Sequence, residues 1–392
     1  MMHLIRDLLP ENMKRQVREL FISTTLVNFA LAMVMFFEPI YLYKIGYSLQ
    51  HIMIFYLITY ILYFLLIPLG ARFAKIKGYE LGIFFGTVLF IVFYIGLFFI
   101  AKYPLLFYIV PIVFALQKTF YWPAYHADFA RFSGKAEEGR EISTINAATF
   151  LVYIIGPVLA GFIIKEWGYG ALFTMASILF LASNIFTLIT RESFKPSGFS
   201  YRHCYKNLFS RANRQSFLAY IGFGEELIVL VVWPIFISII ISDVFNMGMV
   251  VTLATLVTTI ITLYIGKLTD RNNKHSILSL GSVIYSLSWF LRIFVTNTFG
   301  IFFVDTLSKV GKNVVAVPLT AITYQKAKDL DGDDNRQHIM SDVVFFEMSL
   351  VVGKLLAIII IYLSLFVITE QLIAFKVTFI LAGAMSLLYM LL

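Results

Sequence analysis

Residues 36–42, FFEPIYL, and residues 231–237, VVWPIFI, lie 195 positions apart and set a proline at the same point of two apolar runs. The same offset, without gaps, carries residues 71–78, ARFAKIKG, onto residues 266–273, GKLTDRNN. It also sets Gly86-Thr87-Val88-Leu89-Phe90 on Gly281-Ser282-Val283-Ile284-Tyr285, and Pro123 on Pro318. These matches fall in the first, second-to-third and fourth elements of each half, so the chain reads as a duplicated six-helix unit.

The surrounding composition says where such a unit lives. The 392 residues are 60% hydrophobic and 14% charged, whereas soluble domains run near ~45–50% apolar and ~25% charged. A soluble catalytic domain is excluded, and an all-α integral membrane protein is expected. About 20 apolar residues cross the hydrocarbon as a helix, and apolar segments recur at about 20–43, 51–74, 81–101, 105–131, 141–164, 171–190, 216–241, 247–268, 276–296, 299–327, 338–367 and 371–392. Backbone groups in lipid must be satisfied internally, and the alternation of barrel strands is absent, so helices are expected. The expected organisation is a cytoplasmic N-terminal segment over 1–19, a six-helix bundle over 20–190, a polar and basic linker over 191–215 and a second bundle over 216–392. Residues 1–19 have no apolar core or small-residue cleavage site and do not read as a secretory signal. The single cysteine, Cys204, implies no disulfide scaffold.

Cytoplasmic loops collect lysine and arginine. With the N-terminus inside, twenty-two of the 31 basic residues fall in inside segments and four outside, namely Lys44, Lys102, Lys165 and the span-end Arg292. Both termini are therefore expected on the cytoplasmic side of the cell membrane. The net charge of +8 then reads as a belt facing lipid headgroups, and no nucleic-acid partner is expected.

Gly266-Lys267-Leu268-Thr269-Asp270-Arg271, between the eighth and ninth spans, resembles the loop signature G-x-x-x-D-R/K-x-G-R/K-R/K of the major facilitator superfamily. Asn273 replaces the second glycine, and Lys274 and His275 keep a basic finish. The equivalent loop of the first half is degenerate, with Ala71 for glycine, Lys75 for aspartate and Gly78 retained. In the fifth span Gly156-Pro157-Val158-Leu159-Ala160-Gly161 is similar to the G-P-x-x-G-G pattern seen often in proton-coupled exporters of that family. The resemblance implies two six-helix bundles rocking about a central site lined by the first, fourth, seventh and tenth helices. It also implies a conformational latch at Gly266, Asp270 and Arg271. Pro39, Pro123, Pro234 and Pro318 lie in those four cavity helices, and with Gly156 and Pro157 they are the expected kink positions.

A charge at the bilayer centre costs ~2.5–3.5 kcal/mol. Nine charged residues sit well inside spans: Lys118, Glu225, Glu226, Asp305, Lys309, Lys312, Glu347, Lys354 and Lys376. Most must face protein or water. Asp305, Lys309 and Lys312, spaced i, i+4, i+7, share one face of the tenth helix, and Glu347 and Lys354 share a face of the eleventh. Glu225 and Glu226 point about 100° apart, so at most one looks straight into a cavity. Glu225, Glu226, Asp305 and Glu347 are the candidate proton-coupling acids, with static salt bridges as the alternative. Lys118, Trp122, Tyr125, Lys309, Lys312 and Glu38 are the candidate substrate contacts. By the repeat offset Lys118 and Lys312 occupy nearly equivalent places, so the two ammonium groups are expected to approach an anionic substrate from opposite halves, unless the nearby acids neutralise both. The cytoplasmic end of the fourth helix adds His126 and Asp128.

The acidic run Asp329–Asn335 fails the calcium-loop pattern, having Asp334 where glycine is required and Met340 where glutamate is. Gly222-Phe223-Gly224 lacks the third glycine and the preceding strand of a dinucleotide fingerprint. There is no phosphate-binding P-loop, HExxH, GxSxG or clustered Cys/His site, so neither an enzyme nor any cofactor or metal is expected. The expected function is alternating-access transport of a small organic solute by a monomer in the lipid bilayer, coupled to protons, as symporter or antiporter and with export as one direction. The alternative is a non-transporting membrane receptor or assembly factor that kept the fold.

Overall fold

The computed structural model describes residues 15–132, 138–189, 199–269, 274–329 and 339–392. The first span is Arg15–Val34 continued by Phe37–Lys44. Leu49–Lys77, Tyr79–Phe99 and Leu106–Phe132 follow as the second to fourth. Glu138–Ile189 holds the fifth and sixth on either side of Gly168. After a linker helix, Tyr201–Leu208, the seventh runs through Arg214–Ile221, Gly224–Leu227, a π-helical turn Ile228–Val232 and Trp233–Ile240. Val244–Thr269, Lys274–Leu291, Thr298–Asp329, Ile339–Val367 and Gln371–Leu387 complete the order.

Nine segments among the described residues are long and apolar enough to cross a membrane, one of them, Ala148–Ile185, spanning the bend at Gly168. The fourth and tenth helices are not among the nine. They are equivalent in the repeat, and they carry Lys118 and the Asp305, Lys309, Lys312 stripe. Gly168 makes the bend because its φ of 82° is open to glycine and strained for other residues. Beyond it the sixth helix runs antiparallel to the third, with Phe173 on Tyr94 at 5.6 Å, Phe180 on Phe90 at 4.7 Å and Asn184 at the Thr87 hydroxyl.

A proline in a helix lacks its N–H and meets the carbonyl four residues back. Four residues before Pro39 is Met35, in the turn that parts Arg15–Val34 from Phe37–Lys44. Four before Pro234 is Leu230, the middle of the π-helical turn. The two repeat-related prolines therefore interrupt equivalent places of the first and seventh helices. Helices run on through Pro123 and Pro318. At Pro157 the disturbance is filled from outside. Thr252 of the eighth helix donates its hydroxyl to the Ile154 carbonyl at 2.8 Å and accepts from the Val158 N–H at 3.1 Å, standing between two groups that would otherwise bond to each other.

Helix pairings recur between the halves. First with fifth, second with fourth, third with fourth and third with sixth are matched by seventh with eleventh, eighth with tenth, ninth with tenth and ninth with twelfth. Glycines at equivalent positions allow the same close approach: a Cβ on Gly86 would come within 2.6 Å of Tyr121, and one on Gly281 within 2.8 Å of Val314. The halves meet where the fifth helix packs on the eighth and the second on the eleventh. A Cβ on Gly248 would lie 2.2 Å from the Pro157 carbonyl oxygen, so backbone rests on backbone there. At the end carrying Lys44, Lys165 pairs with Asp243 at 3.2 Å, the Gln371 amide donates to the Tyr43 hydroxyl at 3.0 Å, and the Gln50 amide donates to the Leu365 carbonyl at 3.2 Å.

Of the expected latch, Gly266 lies in the last turn of Val244–Thr269, while Asp270 and Arg271 lie outside the described residues. The linker helix packs along the second helix, with Tyr205 6.3 Å from the Phe64 ring and Arg72 over Tyr201 at 5.5 Å. Cys204 on this helix is buried, and burial pushes its thiol up to about 11. It is an unreactive thiol at neutral pH.

Thr252→Val keeps the volume and removes the hydroxyl, leaving two part-buried backbone groups to find each other or stay unpaired. We expect a loss of about 1–3 kcal/mol in thermal unfolding of the detergent-solubilised protein. Thr174→Val, where the hydroxyl is exposed and bonds only to its own helix at Gly170, should change stability by under about 0.5 kcal/mol.

Candidate functional site

Among the described residues, and apart from Lys75 and Asp128 near helix ends, the buried charges sort into four groups. In the first, Glu225 of the seventh helix is fully enclosed and accepts from the Tyr285 hydroxyl, the Lys312 ammonium and, at 2.9 Å, the Tyr389 hydroxyl. Lys312 also donates to the Tyr389 hydroxyl at 3.0 Å and lies over the Phe223, Tyr389 and Tyr285 rings. Glu226 turns the other way, toward the seam, and is shared by Lys312 at 3.5 Å and Lys354 at 3.1 Å. Backbone contact sets this divergence just ahead of the pair: a Cβ on Gly224 would sit 2.4 Å from the Gly353 carbonyl, locking the seventh helix against the eleventh.

In the second group Asp305 of the tenth helix holds Lys309 at 2.7 Å, accepts from the Trp233 indole N–H at 3.0 Å and meets Arg292 at 3.7 Å. Lys309 turns on to the eighth helix, donating to the Thr255 hydroxyl at 2.9 Å. The tenth-helix stripe is thus divided: Lys309 goes with Asp305 toward the eighth and ninth helices, and Lys312 goes with the two glutamates of the seventh. Arg292, expected at an outer span end, is instead 1% exposed. Its guanidinium lies 3.6 Å from the Trp289 ring centroid and 4.2 Å from that of Trp233. The helix turns into a tight 3₁₀ turn at Arg292, which brings the side chain inward, where the ring faces and Asp305 stabilise its charge.

The third group crosses the halves. Glu347 of the eleventh helix accepts from the Tyr63 hydroxyl of the second at 2.7 Å and lies 3.1 Å from His126 Nε2 of the fourth. Trp122 stacks on His126 at 5.5 Å, and Tyr125 stacks on Tyr121 at 5.6 Å. Lys354, about two turns further on, rests 5.5 Å from the Tyr60 ring centroid. The fourth group lies within the first half. Glu38 accepts from the Tyr56 hydroxyl at 2.8 Å and the Tyr94 hydroxyl at 3.3 Å. Lys118 lies over the Phe114 ring at 4.1 Å and the Tyr60 ring at 5.6 Å. Lys118 and Lys312 therefore do not face each other across an open site: Lys312 is closed in by Glu225 and Glu226, and the ammonium that Lys118 meets across the seam, through Tyr60, is Lys354.

The family model described as Major Facilitator Superfamily matches residues 20–211. The match covers the first half of the chain, which is similar to that family. A crystal structure of a POT family transporter in complex with 5-aminolevulinic acid superposes with a TM-score of 0.68 over 96% of this chain and 95% of that one, at 11% sequence identity. That likeness is one of fold. No curated protein sequence matches the chain. Family and fold together support a multi-pass membrane protein acting as a secondary transporter.

The site's tyrosines and Arg292 escape a reading made charge by charge. A spacing signal does hold them: Tyr56, Tyr60 and Tyr63 on the second helix, and Tyr285, Trp289 and Arg292 on the ninth, repeat the i, i+4, i+7 interval of the tenth-helix stripe. Arg292→Gln removes one partner of a buried pair, and we expect a loss of about 3 kcal/mol in thermal unfolding. Adding Asp305→Asn should return part of it, because the two changes touch one interaction.

Proposed function

We propose that this chain moves a small organic solute by rocking residues 20–190 against residues 216–392, and that protons drive it. The observation that carries the reading is Glu347, whose carboxylate belongs to one half and whose partners, Tyr63 and His126, belong to the other. Such a contact breaks whenever the halves part. A carboxylate that loses its partners inside a membrane is stabilised by taking up a proton. Glu226 is placed similarly, sharing Lys354 with the Tyr60 ring of the opposite half. Glu225 and Asp305 are enclosed within their own half, which suits them to holding the seventh, ninth and tenth helices in register. Coupling is accordingly assigned to Glu226 and Glu347. Trp122, Tyr125 and Lys118 form the first-half wall of the solute site. An export direction rests on the resemblance of the Gly156–Gly161 run alone.

The distribution of basic residues supports a cell-membrane protein with both ends and the 191–215 linker on the cytoplasmic side. Cys204 is too enclosed to report on this. Phe209 is 78% exposed, so Phe209→Cys in a Cys204→Ser background should react with an impermeant maleimide only after cells are opened. Reaction in intact cells would reverse the orientation.

Protein reconstituted in liposomes under an imposed proton gradient tests the transport reading. The solute panel should include amino acids, organic acids, amines and 5-aminolevulinic acid, the molecule held in the similar solved structure. At least one member should accumulate about tenfold over protein-free vesicles. Glu347→Gln should abolish accumulation while leaving solute exchange measurable. Undiminished accumulation in both Glu347→Gln and Glu226→Gln would refute coupling at these groups.

A further inference from the structure

The linker helix, Tyr201–Leu208, touches both halves of the molecule. It packs on the second helix, with Tyr205 near the Phe64 ring and Tyr201 beneath Arg72, and on the eleventh helix of the other half. It therefore crosses the seam at which Tyr63 meets Glu347. Cys204 and Leu208 are its buried residues, while Arg202 and Lys206, one turn apart, point the opposite way and are exposed. That exposed face lacks counter-charges of its own. Residues 199–224 and the second helix, Leu49–Lys77, contain no aspartate or glutamate. Among the described residues none of Arg72, Arg202 and Lys206 is paired with an acid, and on the eleventh helix Glu347 is held by Tyr63 and His126 and Asp342 has a contact of its own. Cations gathered without acids attract an anion.

Beside these cations the second helix carries an apolar stripe. Ile61, Leu65, Leu69 and Arg72 fall within about 80° of one another around the helix axis, and the three apolar side chains are 43%, 55% and 48% exposed. From Ile61 to Arg72 the helix rises about 16 Å, which is about one leaflet of a hydrocarbon core ~30 Å thick. The cation stands at one end of that leaflet-length stripe. Phe209, 78% exposed at the end of the linker helix, adds an aromatic ring of the kind that enters the headgroup boundary.

We infer that the corner between the linker helix and the second helix binds an anionic phospholipid, its phosphate among Arg72, Arg202 and Lys206 and an acyl chain along Ile61, Leu65 and Leu69. A soluble phosphate makes no use of the stripe, and a zwitterionic lipid brings its own cation to a place that already holds three. The bound lipid joins a residue of the second helix to two of the linker helix. It thereby fastens the linker helix in its place across the seam and holds the second and eleventh helices together at that level. Binding of this kind requires neither a solute nor a proton.

The test uses the purified full-length protein in an uncharged detergent, titrated with dioleoylphosphatidylglycerol, dioleoylphosphatidylcholine or glycerol 3-phosphate. Thermal unfolding is one readout. The other is the rate at which N-ethylmaleimide, an uncharged reagent, labels Cys204, the chain's one cysteine; at 1% exposure it reacts only when its helix lifts. Phosphatidylglycerol should raise Tm by about 3–6 °C and slow labelling about fivefold, and the other two probes should do neither. Changing both Arg202→Gln and Lys206→Gln should abolish the two effects and leave Tm in phosphatidylcholine at the wild-type value, since both side chains are exposed. Should that variant fail to fold, Arg72→Gln removes the phosphate contact from the second helix and should also abolish them. Lys102→Gln, at an exposed site elsewhere, should keep both. Equal effects of the two lipids would make them bulk solvent only, and glycerol 3-phosphate acting as strongly as phosphatidylglycerol would make the patch a soluble-anion site; either result overturns the assignment. So does a full phosphatidylglycerol effect in the variants at Arg202 and Lys206 or at Arg72. No gradient or solute enters these measurements, so their failure leaves the transport reading to the liposome accumulation assay.

Discussion

A charge in hydrocarbon is tolerated when another group cancels it, and that constraint orders the second half of this protein. Glu226 between Lys312 and Lys354 ties the seventh, tenth and eleventh helices at one depth. Asp305 ties the tenth to the ninth through Arg292 and to the seventh through Trp233, and Lys309 extends the tie to the eighth at Thr255. Five helices are thereby registered by two sets of charges that share the tenth helix. The first half is held differently. Its third and sixth helices meet through the stacked rings of Phe90, Tyr94, Phe173 and Phe180, and its second and fourth through backbone, where a Cβ on Gly70 would lie 1.8 Å from the Thr119 carbonyl. Two bundles with the same helix pairings have reached cohesion by different physics, one ionic and one by ring stacking and close backbone contact.

Gross architecture was legible in the sequence because length and hydropathy alone dictate membrane helices, and because the gap-free offset of 195 exposes the duplication. Pro39 and Pro234 mark interruptions in the first and seventh helices because a proline acts on its own backbone, a local effect. Pro157 was legible as a disturbance but not in its resolution: Thr252, which fills the opened turn, is remote in sequence, and nothing near Pro157 specifies it. The same limit applies to the charges. Spacing gave the face of Asp305, Lys309 and Lys312, but a lysine's stem is long enough that Lys309 and Lys312 leave that face in different directions. Arg292 was assigned to an outer end because it closes an apolar run, whereas the 3₁₀ turn and two tryptophans from different helices turn it inward. Glu225 and Glu226 are adjacent in sequence, and only the close packing of Gly224 on Gly353 determines which of them looks toward the other half.

The seam between the halves contains two kinds of contact. At the fifth and eighth helices it is backbone on backbone, with Gly248 against Pro157 and Thr252 inserted into the turn. Contacts of that kind are shape-determined, and separating them exposes unpaired backbone groups, so they resist opening. At the second and eleventh helices the contact is through side-chain tips: hydroxyl and imidazole to Glu347, and an ammonium over the Tyr60 ring. Those groups can exchange a protein partner for water or a proton at modest cost. On the transport reading the first contact serves as the pivot and the second as the part that opens.

This division bears on how a proton could do work here. A carboxylate whose partners all belong to its own half keeps them when the halves move; Glu225, with Tyr285, Lys312 and Tyr389 converging on it, is in that state. On the transport reading, a carboxylate whose partners lie across the seam changes its surroundings with every cycle, and Glu347 is placed so. A third kind of carboxylate is held by hydroxyls, as Glu38 is by Tyr56 and Tyr94 of its own half. The three cases differ in what holds the charge. What separates them is the kind and place of each acid's partners, a lysine and hydroxyls of the same half for Glu225, groups of the opposite half for Glu347 and tyrosine hydroxyls for Glu38, since all three are buried alike.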